Sequence, residues 1–352
     1  MKKRTEQDAL DSNKPTDVLG YLISNKVGVN VDSEGRLSVV CDSNQRREIE
    51  EFIMAHKSEI MRLYGQQKKP LIVSINDSES SAPPVFCVHA IAGTVYKYMK
   101  VASRLAPQCK VYGIQSCLFV DSNWTNHSVI DMAELYVQEI RKIQPTGPYR
   151  LLGWSFGGIV AIEMERILNS LGEKVSFLGL IDSYIQPRYE PLTEDQLKDS
   201  IHDHIVSNFP GLDADVLAQN IAKQDRTSIR DIVSSFIDNE DLGKNVTDWI
   251  ENPPAYMFSR AFSTAFCQAY VDSILALENH ELKAIHMRPT CWWDKNKCSQ
   301  SIEEVERILG VLPKDNIVLD VNHSQVLSSE KLIVSVAEAI SSLSDRSLAH
   351  GD

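Results

Sequence analysis

The segment Tyr149-Arg150-Leu151-Leu152-Gly153-Trp154-Ser155-Phe156-Gly157-Gly158-Ile159-Val160-Ala161-Ile162 joins an apolar strand pattern to an apolar helix pattern through a turn with Ser155 at its centre. Glycine two residues before and two residues after the serine removes side chains that would block a sharp strand-to-helix reversal. The serine then sits in a strained backbone conformation with its hydroxyl exposed at a helix N-terminus. The dipole there favours a developing anion. Ser155 is therefore a candidate nucleophile, and few other arrangements of chain around it are possible.

The rest of the chain from Pro84 onward fits that turn. Short apolar runs rich in β-branched residues alternate with helix-length patterns, which implies an α/β domain with a mostly parallel sheet covered on both faces. Strands are expected at Val85 to His89, Lys110 to Gln115, Tyr149 to Trp154, Ser176 to Asp182, Leu282 to Met287 and Asn316 to Val321. Helices are expected at Val95 to Leu105, Val129 to Ile143, Gly158 to Leu171 and Glu330 to Leu343. The rhythm breaks between Asp182 and Leu282, where only amphipathic helical stretches occur: Gln196 to Val206, Asp213 to Ala222 and Ile229 to Ile237. An insertion of that size between core strands predicts a helical lid, at about 185–280, over the site that the serine marks.

Residues 1–67 follow a different pattern. Thr16 or Asp17 can cap a short helix that Asn25 closes. Val27, Val29 and Val31 alternate with small or polar residues, Asp32-Ser33-Glu34-Gly35 supplies a turn, and Leu37, Val39 and Cys41 return. Ile49, Phe52, Ile53, His56, Ile60, Met61, Leu63 and Tyr64 then have helical spacing. The order is helix, hairpin, helix. Residues 68–83, polar and broken by proline apart from Leu71-Ile72-Val73, read as a linker that could include a short edge strand, and the main domain as 84–346 with a tail at 347–352.

Net charge excludes one class of partner. With 36 Lys and Arg against 48 Asp and Glu, the chain carries −12 and lacks the clustered basic face of a nucleic-acid binder. No apolar run approaches the roughly 20 residues of a membrane span, and the residues after Met1-Lys2-Lys3-Arg4 are polar. The expectation is a cytoplasmic protein without membrane contact. Seven cysteines, an odd number without a CxxC pair, are expected to be buried free thiols.

A serine hydroxyl attacks poorly until a base takes its proton. His323 follows the last expected strand and precedes the final helix, which suits the chain order serine, acid, histidine. His89 closes the first strand and precedes Ala90-Ile91-Ala92-Gly93, so it belongs to a loop facing the serine. His202 and His204, flanking Asp203, are expected on a solvated helix face, and His286 inside a strand. No metal site is expected. Two aspartates could orient the imidazole, because Asp182 closes Gly179-Leu180-Ile181 and Asp294 follows Cys291-Trp292-Trp293. The residues alone leave both open. Tyr256, Met257, Phe258, Phe262, Phe266 and Tyr270 form an apolar run that could line an acyl pocket or pack the lid.

The stretches Val85 to Gly93, Gly147-Pro148-Tyr149-Arg150-Leu151-Leu152-Gly153-Trp154-Ser155-Phe156-Gly157-Gly158 and Leu180-Ile181-Asp182-Ser183 resemble the thioesterase domain that ends nonribosomal peptide and polyketide synthases. The resemblance implies the α/β-hydrolase fold, a Ser155, His323, Asp182 triad, and an oxyanion hole from the N–H groups of Phe156 and Ile91. It implies release of an acyl or peptidyl chain from the phosphopantetheine of a carrier protein, by hydrolysis, cyclisation or transfer, with no cofactor of the enzyme's own. Free-standing editing thioesterases use an acid one strand later, which would be Asp294, and a small-molecule carboxylesterase would need no carrier. The sequence departs from the family at Asn322, where a glycine commonly precedes the histidine. Thr16 to Gly65 resembles the N-terminal docking domains of the tubulysin-synthetase type, which implies that the hairpin takes up the C-terminal tail of an upstream synthase subunit by strand addition.

Overall fold

The computed structural model describes residues 45–64, 70–122, 128–209, 213–226, 260–295 and 302–348, together with Val18, Tyr21, Leu22, Asn25, 27–31, 37–40, Trp124, 228 and 229. Among the described residues there are two sheets. The first is a hairpin of β1 (Gly28–Val31) and β2 (Leu37–Val40), antiparallel with Val29 opposite Val39. Helices α1 (Arg46–Ala55) and α2 (Lys57–Tyr64) follow, so the single helical run expected from Ile49 to Tyr64 divides at His56. Val18, Leu22, Val27, Val29, Ile49, Ile53 and Ile60 bury one another in a core of their own. Thr16, Asp17 and the turn at 32–35 lie outside the described residues.

The second sheet has seven strands in the order β3 (Ile72–Ser74), β5 (Val111–Ile114), β4 (Val85–Val88), β6 (Tyr149–Trp154), β7 (Val175–Ile181), β8 (Thr290–Trp293) and β9 (Asp315–Val318). Only β3 runs antiparallel, on the β5 edge. The sheet thus begins inside the segment expected as a linker. Because parallel strands are joined by crossovers, helices cover both faces. Alternation along β4 divides the core: Phe86 and Val88 face one side, Val85 and Cys87 the other. The first side packs on α4 (Val129–Ile143) and α5 (Phe156–Ser170), the second on α3 (Met99–Leu105) and α10 (Glu330–Leu348). Ser128 caps α4 by accepting the Asp131 N–H at 3.1 Å.

The strand expected at Leu282 to Met287 is not one. Leu282 and Ile285 are buried three residues apart in an irregular segment, and the β7 neighbour is Thr290–Trp293. His286 is consequently exposed, and its N–H donates to the buried Glu165 carboxylate at 3.1 Å.

Between β7 and β8 lie α6 (Glu194–Asn208), α7 (Ala214–Ala222) and α8 (Arg260–Leu277). Leu197, Ile201, Ile205, Leu217, Ile221, Phe262 and Phe266 pack together with Phe119, which sits near the C-terminal ends of the strands. This is the expected helical lid. Its expected helix at 229–237 lies outside the described residues apart from Ile229, and β1 runs beside α8. Helix α9 (Ile302–Leu309) precedes β9.

Candidate active site

Ser155 joins β6 to α5 with φ 55° and ψ −124°. Positive φ at a residue that is not glycine is strained, and it persists here because the surroundings fix it. The Ser155 N–H donates to the Ile181 carbonyl at 2.8 Å. A Cβ on Gly153 would lie 2.3 Å from the Gly157 carbonyl oxygen, and one on Gly157 would lie 2.5 Å from the carbonyl oxygens of Val88 and His89. Both glycines are therefore dictated by close approach of backbone. Phe156, whose N–H is the first of α5, stands directly beyond the serine.

His323 opens the short 3₁₀ helix His323–Ser328 after β9. Its Nδ1 is hydrogen-bonded to Oδ2 of Asp182, which is fully buried. The remaining Asp182 oxygen, Oδ1, accepts the Asp294 N–H at 3.2 Å, and Asp294 Oδ2 accepts the backbone N–H of His323 at 3.1 Å. Both candidate acids thus converge on one histidine, Asp182 on the ring and Asp294 on the main chain. With a carboxylate on Nδ1, the ring is held as the Nε2-basic tautomer. The Trp154 ring lies 5.2 Å from the imidazole. Asn322 has φ −85° and ψ 163°, an extended conformation open to any residue, so a glycine is not required there.

His89 is fully buried at the start of the facing loop. Its Nδ1 lies 2.7 Å from the Ala90 carbonyl and its Nε2 2.7 Å from the Tyr136 hydroxyl. Burial lowers its pKa to about 4, partly offset by the Ala90 bond. A carbonyl can only accept, so the neutral ring donates from Nδ1 and accepts the Tyr136 hydroxyl proton at Nε2. The loop is thereby pinned, and Gly93, at φ 81°, closes it by donating to Ala90 at 2.9 Å. Ile91, half-buried, lies on this loop.

The structure corrects the reading of His204. Its ring stacks on Tyr270 at 3.8 Å and on Phe266 at 5.1 Å, because α6 lies against α8. Burial, reinforced by the nearby Lys97 ammonium, pulls its pKa down to about 3. His202 remains at the surface beside the Ala214 carbonyl. Phe262 and Phe266 are buried in lid packing, Tyr270 bonds Ser200 at 2.8 Å, and residues 256–258 lie outside the described residues. Among the described residues, no three His, Cys, Asp or Glu side chains gather as a metal site, and Cys87, Cys109, Cys117, Cys267 and Cys291 are buried free thiols. No described helix is long and apolar enough to cross a membrane. Sequence reasoning missed the main-chain role of Asp294 and the hydroxyl of Tyr98, which touches the ends of β4 and β6. A tyrosine in an amphipathic run gives no signal beyond core packing.

Comparison with known proteins agrees with this architecture. The family model described as Thioesterase domain matches residues 83–239. Malpibaldin synthetase of Mortierella alpina is 41% identical over 106 residues, a match that covers 30% of this chain and 2% of that protein. The chain therefore spans a small fraction of the length of such relatives. A solved four-domain nonribosomal peptide synthetase, holo-AB3403 bound to AMP and glycine, superposes with a TM-score of 0.60 at 21% identity, covering 81% of this chain and 21% of that one. The NocB thioesterase domain, solved as a covalent complex with a fluorophosphonate nocardicin G analog, superposes with a TM-score of 0.52 at 20% identity, covering 78% of this chain and 99% of that one. Residues 83–239 thus match the thioesterase family model, on a fold shared with the solved NocB thioesterase domain.

Proposed function

We propose that the protein releases an acyl or peptidyl chain from the phosphopantetheine thioester of a carrier protein, in nonribosomal peptide or polyketide assembly, through an ester on Ser155. The observation that carries this reading is the His323 ring held by Asp182 at the strand ends where the strained Ser155 turn also lies. His323 Nε2 takes the Ser155 proton as Oγ attacks the thioester carbonyl. The N–H groups of Phe156 and Ile91 stabilise the oxyanion, and Asp182 stabilises the imidazolium. Collapse breaks the C–S bond, His323 protonates the departing thiolate, and acyl-Ser155 remains. Water, an internal hydroxyl or amine, or an external nucleophile then takes the acyl group. The phosphopantetheine belongs to the carrier, and none of these steps calls for a metal or redox group.

Intact-protein mass spectrometry after incubation with a small acyl-pantetheine thioester tests the reading. An acyl adduct on the wild type that is absent in Ser155→Ala and much slowed in Asp182→Asn supports it. An adduct sensitive instead to Asp294→Asn would move the enzyme toward the editing class, and none with any thioester would favour ordinary esters.

The N-terminal unit is proposed to dock the C-terminal tail of an upstream synthase subunit. Two features support this: the unit has its own core, and among the described residues no third strand pairs with the β1–β2 hairpin. An unpaired strand edge offers a row of backbone donors and acceptors to an incoming extended segment.

A further inference from the structure

Tyr98 ends the short helical turn Tyr96–Tyr98, and its side chain is 1% exposed. Its ring packs in the core beside Val95, Val101 and Leu105, as the sequence pattern expects. Its hydroxyl does something the pattern does not predict. The Tyr98 O–H donates to the Val88 carbonyl at 2.9 Å, and the same oxygen accepts the Trp154 N–H at 2.6 Å.

These two partners are the last residues of neighbouring strands. In the parallel β4–β6 ladder Val88 lies opposite Gly153. The next rung of such a ladder joins a carbonyl to the N–H of the residue after its partner, which here is Trp154. The phenol oxygen occupies that rung. The connection is two hydrogen bonds long instead of one, so the strand ends are held apart where Val88 runs into the His89–Gly93 loop and Trp154 runs into Ser155.

We propose that Tyr98 is a positioning residue for the oxyanion site, its hydroxyl setting the spacing between the nucleophile turn and the loop that faces it. The inference rests on the thioesterase reading above and deepens it. Two donors on opposite sides of the cleft, Phe156 N–H and Ile91 N–H, must both reach one oxygen at about 2.7–3.1 Å. Phe156 is two residues beyond Trp154, and Ile91 is three beyond Val88. Their separation is inherited from the rung below them. Only a group that donates and accepts at once can fill that rung, which a hydroxyl does and a phenyl ring does not. Burial holds the phenol well above its ordinary pKa, so the donor persists wherever the protein is folded. Loss of the hydroxyl leaves two outcomes. Either Trp154 N–H closes directly on the Val88 carbonyl and narrows the cleft, or both groups stay apart, buried and unpaired. The first moves a donor, and the second frees the turn and the loop from the bonds that fix their spacing.

Tyr98→Phe in the full chain tests this, because it keeps the ring and removes the hydroxyl alone. Turnover of a small acyl-pantetheine thioester is measured per active site titrated with a fluorophosphonate, together with the Ki of a boronic acid that mimics the tetrahedral intermediate and the melting temperature. The expected result is a fall in kcat of about 10- to 100-fold, a KM within about threefold, and a boronic acid affinity that weakens in step with kcat/KM. Incorporation of 3-fluorotyrosine at position 98, which keeps the hydroxyl, is expected to retain kcat within about threefold of wild type. An unchanged kcat per titrated site with only a lower melting temperature would overturn the proposal, as would a fall in kcat with undiminished boronic acid affinity. Absence of any acyl adduct on the wild type would overturn the thioesterase reading itself, so the two failures are distinct.

Discussion

Asp294 holds His323 by its backbone and leaves the ring to Asp182: the His323 N–H reaches Asp294 Oδ2 at 3.1 Å. The two carboxylates are linked in turn, since the Asp294 N–H donates to Asp182 Oδ1 at 3.2 Å. One acid sets the tautomer and the other sets where the histidine stands.

That division separates the two substitutions. Asp182→Asn can present a donor where the imidazole N–H needs an acceptor, which favours the wrong tautomer, and a loss of kcat on the order of 10³- to 10⁴-fold is expected. Asp294→Asn keeps an oxygen for the His323 N–H and is expected to lose about tenfold or less in kcat. Asp294→Ala leaves that N–H without its carboxylate and is expected to lower stability by about 1–3 kcal/mol. Acylation rates with a small thioester and urea unfolding of the three variants check the order. Equal losses in kcat for both Asn variants would contradict it.

Stability should fall as the medium is acidified from neutrality, well before most carboxylates titrate. His89 has its pKa lowered to about 4 by burial, against about 6.5 in an unfolded chain. The unfolded state therefore binds the extra proton between about pH 6.5 and 4, and unfolding becomes easier as pH drops through that window. Each such group contributes a slope of up to about 1.4 kcal/mol per pH unit, or about 3 kcal/mol across the window for His89. His204, lowered to about 3, acts in the same direction. Urea midpoints at pH 7, 6 and 5 measure the slope. His89→Gln, which can donate to Ala90 and accept from Tyr136, should flatten it.

The parts of the site that follow from chain order were legible in the sequence. Ser155 is marked by glycines that its turn cannot do without, and His323 by its place after the last strand and before the last helix. What pairs with His323 was not legible from spacing, because Asp182 and Asp294 end adjacent strands and both reach it. The strand expected at Leu282 to Met287 fails for a local reason. Its apolar residues resemble a strand, while the true strand follows Pro289, and a proline reads as a breaker although the first position of a strand tolerates it. His204 looked solvated because its neighbours on α6 are polar. The packing of α8 covers it through Phe266 and Tyr270, which come 62 and 66 residues later in the chain.

Removing residues 1–67 should separate delivery from chemistry. The hairpin, α1 and α2 bury their own apolar side chains, and the seven-stranded sheet begins at Ile72. Hydrolysis of a small thioester is expected to stay within about threefold of the full chain, while transfer from the proposed upstream subunit falls at least about tenfold. β1 lies beside α8, so a parallel fall in both activities would mean that the unit supports the lid instead of serving a partner.

Gly157→Ala offers a test of how tightly the two halves of the proposed oxyanion site are packed. Gly157 is the second residue of α5, and a Cβ there would come within 2.5 Å of the carbonyl oxygens of both Val88 and His89. These are backbone atoms of β4 and of the loop that carries Ile91, and no flexible side chain lies between to yield. Relief requires moving α5 away from the loop, and that motion also carries Phe156 away from Ile91. Overpacking of this kind costs about 1–3 kcal/mol of stability, whereas a displaced oxyanion donor costs about 10²-fold or more in rate. The expected variant is therefore folded, somewhat less stable and nearly inactive toward thioesters. Far-UV circular dichroism, thermal melting and acylation kinetics measured together decide it. Wild-type acylation with a lower melting temperature would show that the loop gives way without carrying a donor, and the assignment of Ile91 would fall with it.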